Sequence, residues 1–283
     1  MDTTDTLTHP AGTRTAAEAL LEAATTAGYA PSIHNTQPWR WRITGDTVDL
    51  HLVRSRIPAT ADPDGRLATL SGGAALHHAR VTMAARGWQI TVTRMLQDAD
   101  RDLLARLHVH HKAPIDPTSA MLLRTILSQH TYRRTVPGAP LDPEALTAIT
   151  AAIEAQGTRL HTLRPEQILE LSTGRDHRHP TDLPITARHD KVAVFVMLYG
   201  SADEPLNWLR AGEALSAGWL TATGRGVSIQ PHSTPIDTIA TRQALRAMIA
   251  DTGYPYLVLR LGTADPAHAG TPHPPVDQII ERY

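Results

Sequence analysis

The chain has 283 residues, of which 41% are hydrophobic and 19% charged, an ordinary balance for one large globular domain or two fused halves. The net charge of −1 excludes the basic bias of proteins that bind nucleic acid or anionic membranes. The lack of cysteine excludes disulfides, thiolate catalysis and iron–sulfur ligation. It also fits a cytoplasmic protein, and the longest apolar run, Val192 to Tyr199, is too short to span a bilayer. Met1 to Arg14 is polar, threonine-rich and without a secretory-signal pattern, so we expect a loose tail there.

The first half of the chain predicts two helices and four strands. A helix rich in alanine is expected from Thr15 to Ala27, ended by Gly28 as a typical C-terminal stop, and a second from Leu67 to Arg86, ended by Gly87. Alternating or β-branched patterns predict strands at Trp39 to Thr44, Thr47 to Val53, Trp88 to Met95 and Leu103 to His110. The first two strands form a hairpin that turns at Gly45-Asp46.

A proline-containing boundary at 112–117 divides the chain into a first half of residues 15–112 and a second half of residues 113–283. In the second half, Asp142 as N-cap and Pro143 at the first helical position predict a helix that runs to Gln156. The other predicted helices are Thr118 to Gln129, Pro165 to Ser172, Asn207 to Thr223 and Asp237 to Ala250. The predicted strands are Arg159 to Leu163, Val192 to Tyr199, Val227 to Gln230 and Pro255 to Leu261, with loops at Gly174 to Asp190 and Pro231 to Pro235.

Residues 30–41, Ala-Pro-Ser-Ile-His-Asn-Thr-Gln-Pro-Trp-Arg-Trp, connect the first helix to the first strand. Pro31 and Pro38 fix φ and force the residues before them out of helix. The side chains between the two prolines are mostly polar: Ser32, His34, Asn35, Thr36 and Gln37. A stiff polar loop of this kind suits a ring with many hydrogen-bonding edges, although on composition alone an ordinary helix-to-strand connection explains it as well.

An internal similarity suggests that the chain is a duplicated unit. Residues 73–90 and 212–229 align without a gap, and both segments are a helix that ends in Arg-Gly and leads into a strand. The coinciding pairs are Gly73/Gly212, Ala75/Ala214, Leu76/Leu215, Thr82/Thr221, Arg86/Arg225, Gly87/Gly226 and Ile90/Ile229. Small residues in both helices allow close packing across a two-fold axis, and chance similarity of two alanine-rich helices is the alternative.

Two further segments carry candidate binding residues. Arg133-Arg134-Thr135 offers forked donors and a hydroxyl that suit a phosphate dianion, or forms a solvated basic turn. The loop around 231–235 follows the second small-residue helix and is otherwise a polar strand-to-helix connection. His108 and His110 share one face of a strand but have no carboxylate at ligand spacing, so no metal site is predicted.

The motif Pro-Ser-x-x-Asn-x-Gln-Pro-Trp, which starts at Pro31, resembles the flavin reductase and nitroreductase superfamily, and His34 before Asn35 resembles its Acg-type branch. The resemblance covers about residues 15–283. It implies an α+β nitroreductase-like fold, duplicated in one chain, with antiparallel-rich sheets flanked by helices around a central helix pair. It also implies FMN as the cofactor and NAD(P)H as reductant. The chain has no Gly-x-Gly-x-x-Gly fingerprint, so NAD(P)H use is carried by the resemblance alone.

The resemblance also implies which residues contact the cofactor. The loop of the first half faces the flavin ring through Pro31, Ser32, Ile33, Asn35 and Gln37. The second half holds the phosphate through Arg133, Arg134 and Thr135, and covers one ring face through Pro231, His232 and Ser233. The backbone N–H of Ser233 or Thr234 is expected to point at flavin N5.

This sequence departs from the family pattern at two places. The family usually has Arg or Lys near a C-terminal Pro-Val-Asp segment, where this chain has His273, a weaker and pH-dependent contact for the phosphate. The segment Gly174 to Asp190 is shorter than the lid of Acg-like proteins, which implies a more open site that favours catalysis over flavin storage.

The implied function is NAD(P)H-driven reduction of nitroaromatic, quinone-like or other small-molecule acceptors in a ping-pong scheme, without an assigned protein acid or base. A protein that sequesters FMN and a flavin-dependent oxidase that tailors natural products are the alternatives.

The motifs also indicate how many flavins one chain binds. Only Arg14-Thr15 remains of a phosphate motif in the first half, and no Pro-Ser-x-x-Asn loop follows the helix that ends at Gln156. We therefore predict one flavin per chain, in a monomeric pseudo-dimer or a homodimer.

Overall fold

A computed structural model describes residues 15–32, 35–96, 100–128, 139–173, 193–233, 236, 238–265 and 278–282. The predicted tail at 1–14 and the predicted loop at 174–190 lie outside these residues. The helices are α1 (Ala16–Ala27), α2 (Arg66–Ala85), α3 (Pro117–Leu127), α4 (Pro143–Glu154), α5 (Pro165–Thr173), α6 (Pro205–Gly224) and α7 (Ile239–Met248). The strands are β1 (Trp39–Thr44), β2 (Thr47–Leu52), β3 (Trp88–Arg94), β4 (Leu103–Lys112), β5 (Arg159–Thr162), β6 (Val194–Gly200), β7 (Val227–His232), β8 (Tyr254–Thr263) and β9 (Ile280–Arg282).

Local sequence signals account for most of these elements. Thr15 caps α1 in a capping box with Glu18, and the Asp142 side chain accepts a hydrogen bond from the backbone N–H of Glu144 at 3.0 Å at the start of α4. In β1 the side chains alternate between buried and exposed, which is the period of a half-buried strand. Gly45, with φ +60°, forms the two-residue turn between β1 and β2 that the sequence predicts.

Apart from the additional strand β9, the two sheets have the same strand order when the strands of each half are counted along the chain, which confirms the predicted duplication. The first sheet has the order β3-β4-β2-β1-β9 and the second the order β7-β8-β6-β5. All pairings are antiparallel except that of β9, which lies parallel to β1. The last described residues of the chain therefore complete the sheet of the first half, which ties the two halves together.

Helices α2 and α6 form the predicted central pair and cross closely at two related glycines. A Cβ on Gly73 would lie 1.9 Å from the carbonyl oxygen of Leu209, and a Cβ on Gly212 would lie 1.8 Å from that of Leu70. These contacts are reciprocal under the alignment of Gly73 with Gly212, which pairs Leu70 with Leu209. The glycines are therefore required by backbone-to-backbone packing at a pseudo-two-fold axis.

The hydrophobic core consists of two main clusters, one for each sheet. The first is formed by α1, α2 and the inner face of the first sheet, and the second by α4, α6 and the second sheet. Leu70 of α2 belongs to the cluster of the second half, whereas Leu209 of α6 belongs to that of the first. The α+β class with antiparallel-rich sheets is thus confirmed. Within the described residues no helix has the length and apolar character needed to cross a membrane.

One sequence prediction was wrong in detail. Pro231 and His232 were assigned to a loop, but they pair with β8 and form the end of β7. A proline is tolerated there because β7 lies at the edge of its sheet, where the missing N–H breaks no ladder. Gly28 ends α1 as predicted, and it does so in a right-handed conformation with a φ of −62°. Glycine is needed there because a Cβ would lie 2.9 Å from Ile279 Cδ1.

Candidate functional site

The polar loop that follows α1 is held in shape by hydrogen bonds within itself. Ser32 contributes both of its oxygens: the carbonyl accepts from Asn35 N at 3.1 Å, and Oγ accepts from Gln37 N at 3.1 Å. Trp39 N then donates to Gln37 O at 2.8 Å, where β1 begins. Pro31, Ser32 and Asn35 are half-buried, so the structure places these three predicted contact residues at the rim of the protein.

Two residues of this loop have a backbone conformation that side chains rarely adopt. Asn35 has φ 55° and Gln37 has φ 42°, both in the left-handed region. Asparagine tolerates this region, whereas glutamine is less suited to it, and such positions cost about 1–3 kcal/mol each. Backbone strain of this kind persists where the surroundings fix it, and it is common at ligand-binding sites.

Arg56 fixes the loop from outside. Its Nη1 donates to the carbonyl of Gln37 at 3.1 Å, and its Nη2 donates to the carbonyl of Gln278 at 2.8 Å. Burial, and then the nearby guanidinium of Arg40, lower the pKa of Arg56 from its usual value. The Arg56 guanidinium therefore joins the end of the loop to the C-terminal segment that leads into β9.

Gln37 lies on the inner side of the loop. Its side chain is fully buried, and Nε2 donates to the carbonyl of Gly28 at 2.7 Å. This contact ties the loop to the end of α1. The expected contact of Gln37 with the cofactor stays a prediction, because the observed hydrogen bond joins two parts of the protein.

The second predicted segment follows α6 and lies mostly in β7. Pro231 and His232 pair with Leu259 and Val258 of β8, and the ring of His232 lies 6.3 Å from that of Phe195. Ser233 follows the strand directly, and its carbonyl accepts from Ile236 N at 2.8 Å. All three predicted residues are half-buried. The N5 donor assigned to Ser233 or Thr234 stays a prediction, since Thr234 lies outside the described residues.

Asp62 and Leu67 connect these two segments, which come from different halves. The Asp62 carboxylate caps α2 by accepting from Leu67 N at 3.1 Å and from Ala68 N at 2.8 Å. A small cavity beside Asp62 and Leu67 is also lined by Thr36. A larger cleft of about 240 Å³ shares the same two residues and reaches Ile236. The loop of the first half and the segment after β7 therefore both border the start of α2.

Five further residues are predicted to contact the cofactor. Ile33 of the loop, the phosphate residues Arg133, Arg134 and Thr135, and the C-terminal His273 lie outside the described residues. The nearest described elements are α3, which ends at Leu127, and Gln278, whose carbonyl accepts from Arg56. The five residues stay predictions.

A buried ion-pair cluster makes the two sides of the central helix pair different. The Glu213 carboxylate, on α6, accepts from Arg80 Nη1 at 2.6 Å and from Arg94 Nε and Nη2 at 2.7 and 2.8 Å. The hydrogen bonds from Arg94 to this carboxylate raise the pKa of the arginine above its usual value. The alignment of Gly73 with Gly212 pairs Glu213 with Ala74 and Arg94 with Ser233. Arg80 is paired with Trp219 in the same way, so one side holds a charged cluster where the other side has uncharged residues.

Arg56 and Asp62 were not identified from the sequence. Asp62 stands in Asp-Pro-Asp-Gly directly before a helix, a turn and N-cap pattern that predicts its capping role in hindsight. Arg56 has no comparable local signal, because its partners lie 19 and 222 positions away. Among the described residues no group of three His, Asp or Glu side chains could hold a metal ion. His108 and His110 do lie together, with ring centroids 4.8 Å apart.

Comparisons with known proteins agree with this fold, although no protein-family model matches the chain. "Putative NAD(P)H nitroreductase Rv3131" of Mycobacterium tuberculosis is 33% identical over 94% of this chain and 92% of its own length. "Putative NAD(P)H nitroreductase acg" of the same organism is 27% identical over 89% of this chain and 92% of its length. A crystal structure of a "putative nitroreductase" from Anabaena variabilis has the same fold, with a TM-score of 0.54 and 9% identity over 77% of this chain and 69% of that one. The chain therefore belongs to the nitroreductase superfamily, in its Acg-like branch.

Proposed function

We propose that this protein is an FMN-dependent oxidoreductase that uses NAD(P)H to reduce small-molecule acceptors of the nitroaromatic or quinone type. Membership of the nitroreductase superfamily supports the class of activity, since the 33% identical relative is named an NAD(P)H nitroreductase. The observation that carries the proposal for this chain is that a strained polar loop of one half and the segment after β7 of the other half both border the start of α2. A site between two halves is what a fused pseudo-dimer requires.

The described residues fit a flavin at this place. The loop is preorganised, because Ser32, the Gln37 side chain and Arg56 fix its backbone before any ligand binds. Pro31, Ser32 and Asn35 would lie against the ring, and Pro231, His232 and Ser233 would cover one face. A rigid edge of this kind loses little entropy when a ring binds. Arg133, Arg134, Thr135 and His273 are proposed for the phosphate, with Ile33 and Gln37 completing the ring side.

The protein's contribution is position and electrostatics. When bound, FMN supplies the redox chemistry, accepting a hydride from NAD(P)H and returning electrons to an acceptor that binds over the same ring face. The chain's own residues hold the ring edge, cover one face at β7 and leave the cleft beside Asp62 as a path for a second molecule. No protein acid or base is needed for this assignment.

The test of the cofactor site is a double variant, Arg133→Ala with Arg134→Ala. We expect the purified wild-type chain to be yellow, or to become yellow with added FMN, and the variant to lose most of this colour because the phosphate grip is gone. The matched control is Arg101→Ala with Arg124→Ala, which removes two exposed arginines from other parts of the surface. Equal flavin content in both double variants would contradict the phosphate assignment.

A second measurement separates turnover from flavin storage. NAD(P)H is added to the wild-type holoprotein without air, and the flavin absorption band is recorded before and after a nitroaromatic or a quinone is added. An oxidoreductase bleaches and then recovers its band. A band that does not bleach with either nicotinamide cofactor would contradict the proposed activity and leave sequestration of FMN as the function.

A further inference from the structure

The cleft of about 240 Å³ at the start of α2 has walls from both halves of the chain. One wall is the segment that precedes and begins α2, from Ala61 to Leu67. The other consists of Ile236, Ile239 and Arg242, the last two on α7. A cavity of about 150 Å³ is known to hold a benzene ring, so this cleft has room for one ring with a substituent.

The apolar part of the cleft is open to a ligand. Ile239 is 67% exposed, one of the few large hydrophobic side chains exposed in the described part of the chain, and it lies opposite the α2 segment. Leu67 and Ile236 are buried beneath it and give the cleft an apolar floor. Apolar walls of this kind favour binding of a ligand with a flat hydrocarbon surface, such as an aromatic ring.

Most charged groups of the cleft are already used by the fold. Asp62 accepts two backbone hydrogen bonds at the start of α2. Arg66 is held by Asp203 at 3.0 Å and by the carbonyl of Pro255 at 3.1 Å. Asp64 is exposed at the rim. The Asp62 carboxylate and the Arg66 guanidinium therefore have little capacity left for a ligand.

Arg242 differs from these groups. Its Nη1 donates to the carbonyl of Ile236 at 2.8 Å, which orients the guanidinium in the cleft wall. No carboxylate forms an ion pair with it within the described part of the chain, so its remaining donors are available to an anion. Burial lowers the pKa of Arg66, and the charge of Arg242 lowers it further, whereas Asp203 raises it. An anion in the cleft would reduce the repulsion between the two guanidiniums.

We propose that this cleft is the acceptor subsite and that it selects aromatic molecules that carry a carboxylate. The ring lies against Ile239 and Leu67, and the carboxylate receives hydrogen bonds from Arg242. The cleft adjoins Thr36 of the loop through Asp62, and Ser233 through the backbone contact of Ile236. The cleft therefore lies beside both segments that are proposed to hold the flavin. The role of the cleft as an acceptor subsite rests on the proposed function, whereas its preference for aromatic carboxylates does not.

The test measures equilibrium binding to the full chain, as purified with its cofactor, by calorimetry. The probes are 4-nitrobenzoate and 4-nitrobenzamide, which have the same shape and differ in charge. We expect the wild type to prefer the carboxylate and Arg242→Met to reduce this preference about tenfold, the lower range for a charge-assisted hydrogen bond. Arg242→Lys keeps the charge and should keep most of the preference.

Two controls locate the effect. Arg246→Met removes a guanidinium of the same helix that lies over the Tyr254 ring and does not line the cleft, so the preference should not change. Ala61→Trp fills the cleft without a change of charge and should weaken both probes alike. The proposal is overturned if the wild type binds neither probe or both equally. It is also overturned if Arg246→Met acts like Arg242→Met, or if Ala61→Trp leaves binding intact. Because no electron transfer is measured, these outcomes are independent of the bleaching experiment.

Discussion

The Glu213 cluster provides a sharp test of how the two halves are held together. Glu213 is 3% exposed and binds two arginines of the first half, Arg80 and Arg94, which are 33% and 21% exposed. The variant Glu213→Gln keeps the shape but leaves both guanidiniums without an anion. Removing one partner of a buried ion pair costs about 3–5 kcal/mol. Because both arginines keep some access to water, we expect the lower end, about 3 kcal/mol.

The assay is thermal and urea unfolding of flavin-free protein, since a bound cofactor would add its own stabilisation. A loss of about 3 kcal/mol corresponds to a decrease in Tm of roughly 5 °C for a chain of this size. The control is Glu204→Gln, which changes an exposed carboxylate of α6 that makes no side-chain cap contact. Its effect on the free energy of unfolding should stay within about 0.5 kcal/mol.

A triple variant tests the physical cause. With Arg80→Met and Arg94→Met added to Glu213→Leu, no charge is left unpaired, and apolar groups of similar volume often replace a buried ion pair at little cost. We therefore expect the triple variant to be more stable than Glu213→Leu alone. The reasoning is refuted if the triple variant is no more stable than the single one. A decrease in Tm below about 2 °C for Glu213→Gln would refute it too, since that is about 1 kcal/mol or less.

Three further predictions follow from single residues. Gly73→Ala forces a Cβ into the backbone of the facing helix and should cost about 3 kcal/mol or more in urea unfolding, whereas Gly224→Ala, which meets no atom within 4 Å, should cost nothing. Burial, and then Arg80, lower the pKa of His77 to about 3 from 6.5, so the unfolded chain binds the proton first and stability falls as the pH decreases through this window. The wild type should therefore lose about 2 kcal/mol more free energy of unfolding between pH 7 and pH 5 than His77→Gln does. An equal loss in both proteins would contradict this. Arg56→Ala should weaken FMN binding about tenfold in a fluorescence titration by releasing the loop, whereas Arg54→Ala, whose arginine pairs with Asp102, should not.

The parts of the fold that the sequence predicted are those with a local cause. The alternation of Trp39, Trp41 and Ile43 predicted β1, and Asp142 with Pro143 predicted the start of α4, because strand period and capping act within a few residues. The Arg-Gly ends of α2 and α6 predicted the duplication for a similar reason. Each glycine after these ends has a positive φ, a requirement that a short motif can express.

The parts that were missed depend on contacts between distant segments. The strand β9 has only three residues and is defined by its pairing with β1, more than two hundred positions away. Glu213 in an alanine-rich helix has the appearance of a solvent-exposed residue, and only the fold shows the two arginines around it. Arg242 likewise gains its place in the cleft from a helix start that lies far along the chain. Charged residues of this type cannot be assigned from a local pattern.

Fusion of two similar halves allows one side of the molecule to change without the other. In a symmetric dimer, every residue of the central helix occurs on both sides, so a buried Glu–Arg cluster would occur twice. Here Glu213, Arg94 and Arg80 are matched by the uncharged residues Ala74, Ser233 and Trp219. The glycine crossing is kept on both sides because each helix needs the other's close approach. The cluster therefore occupies one side only. If a flavin binds only on the side without the charged cluster, the ratio of FMN to chain should be one, and a ratio of two in absorbance and native mass measurements would contradict this account.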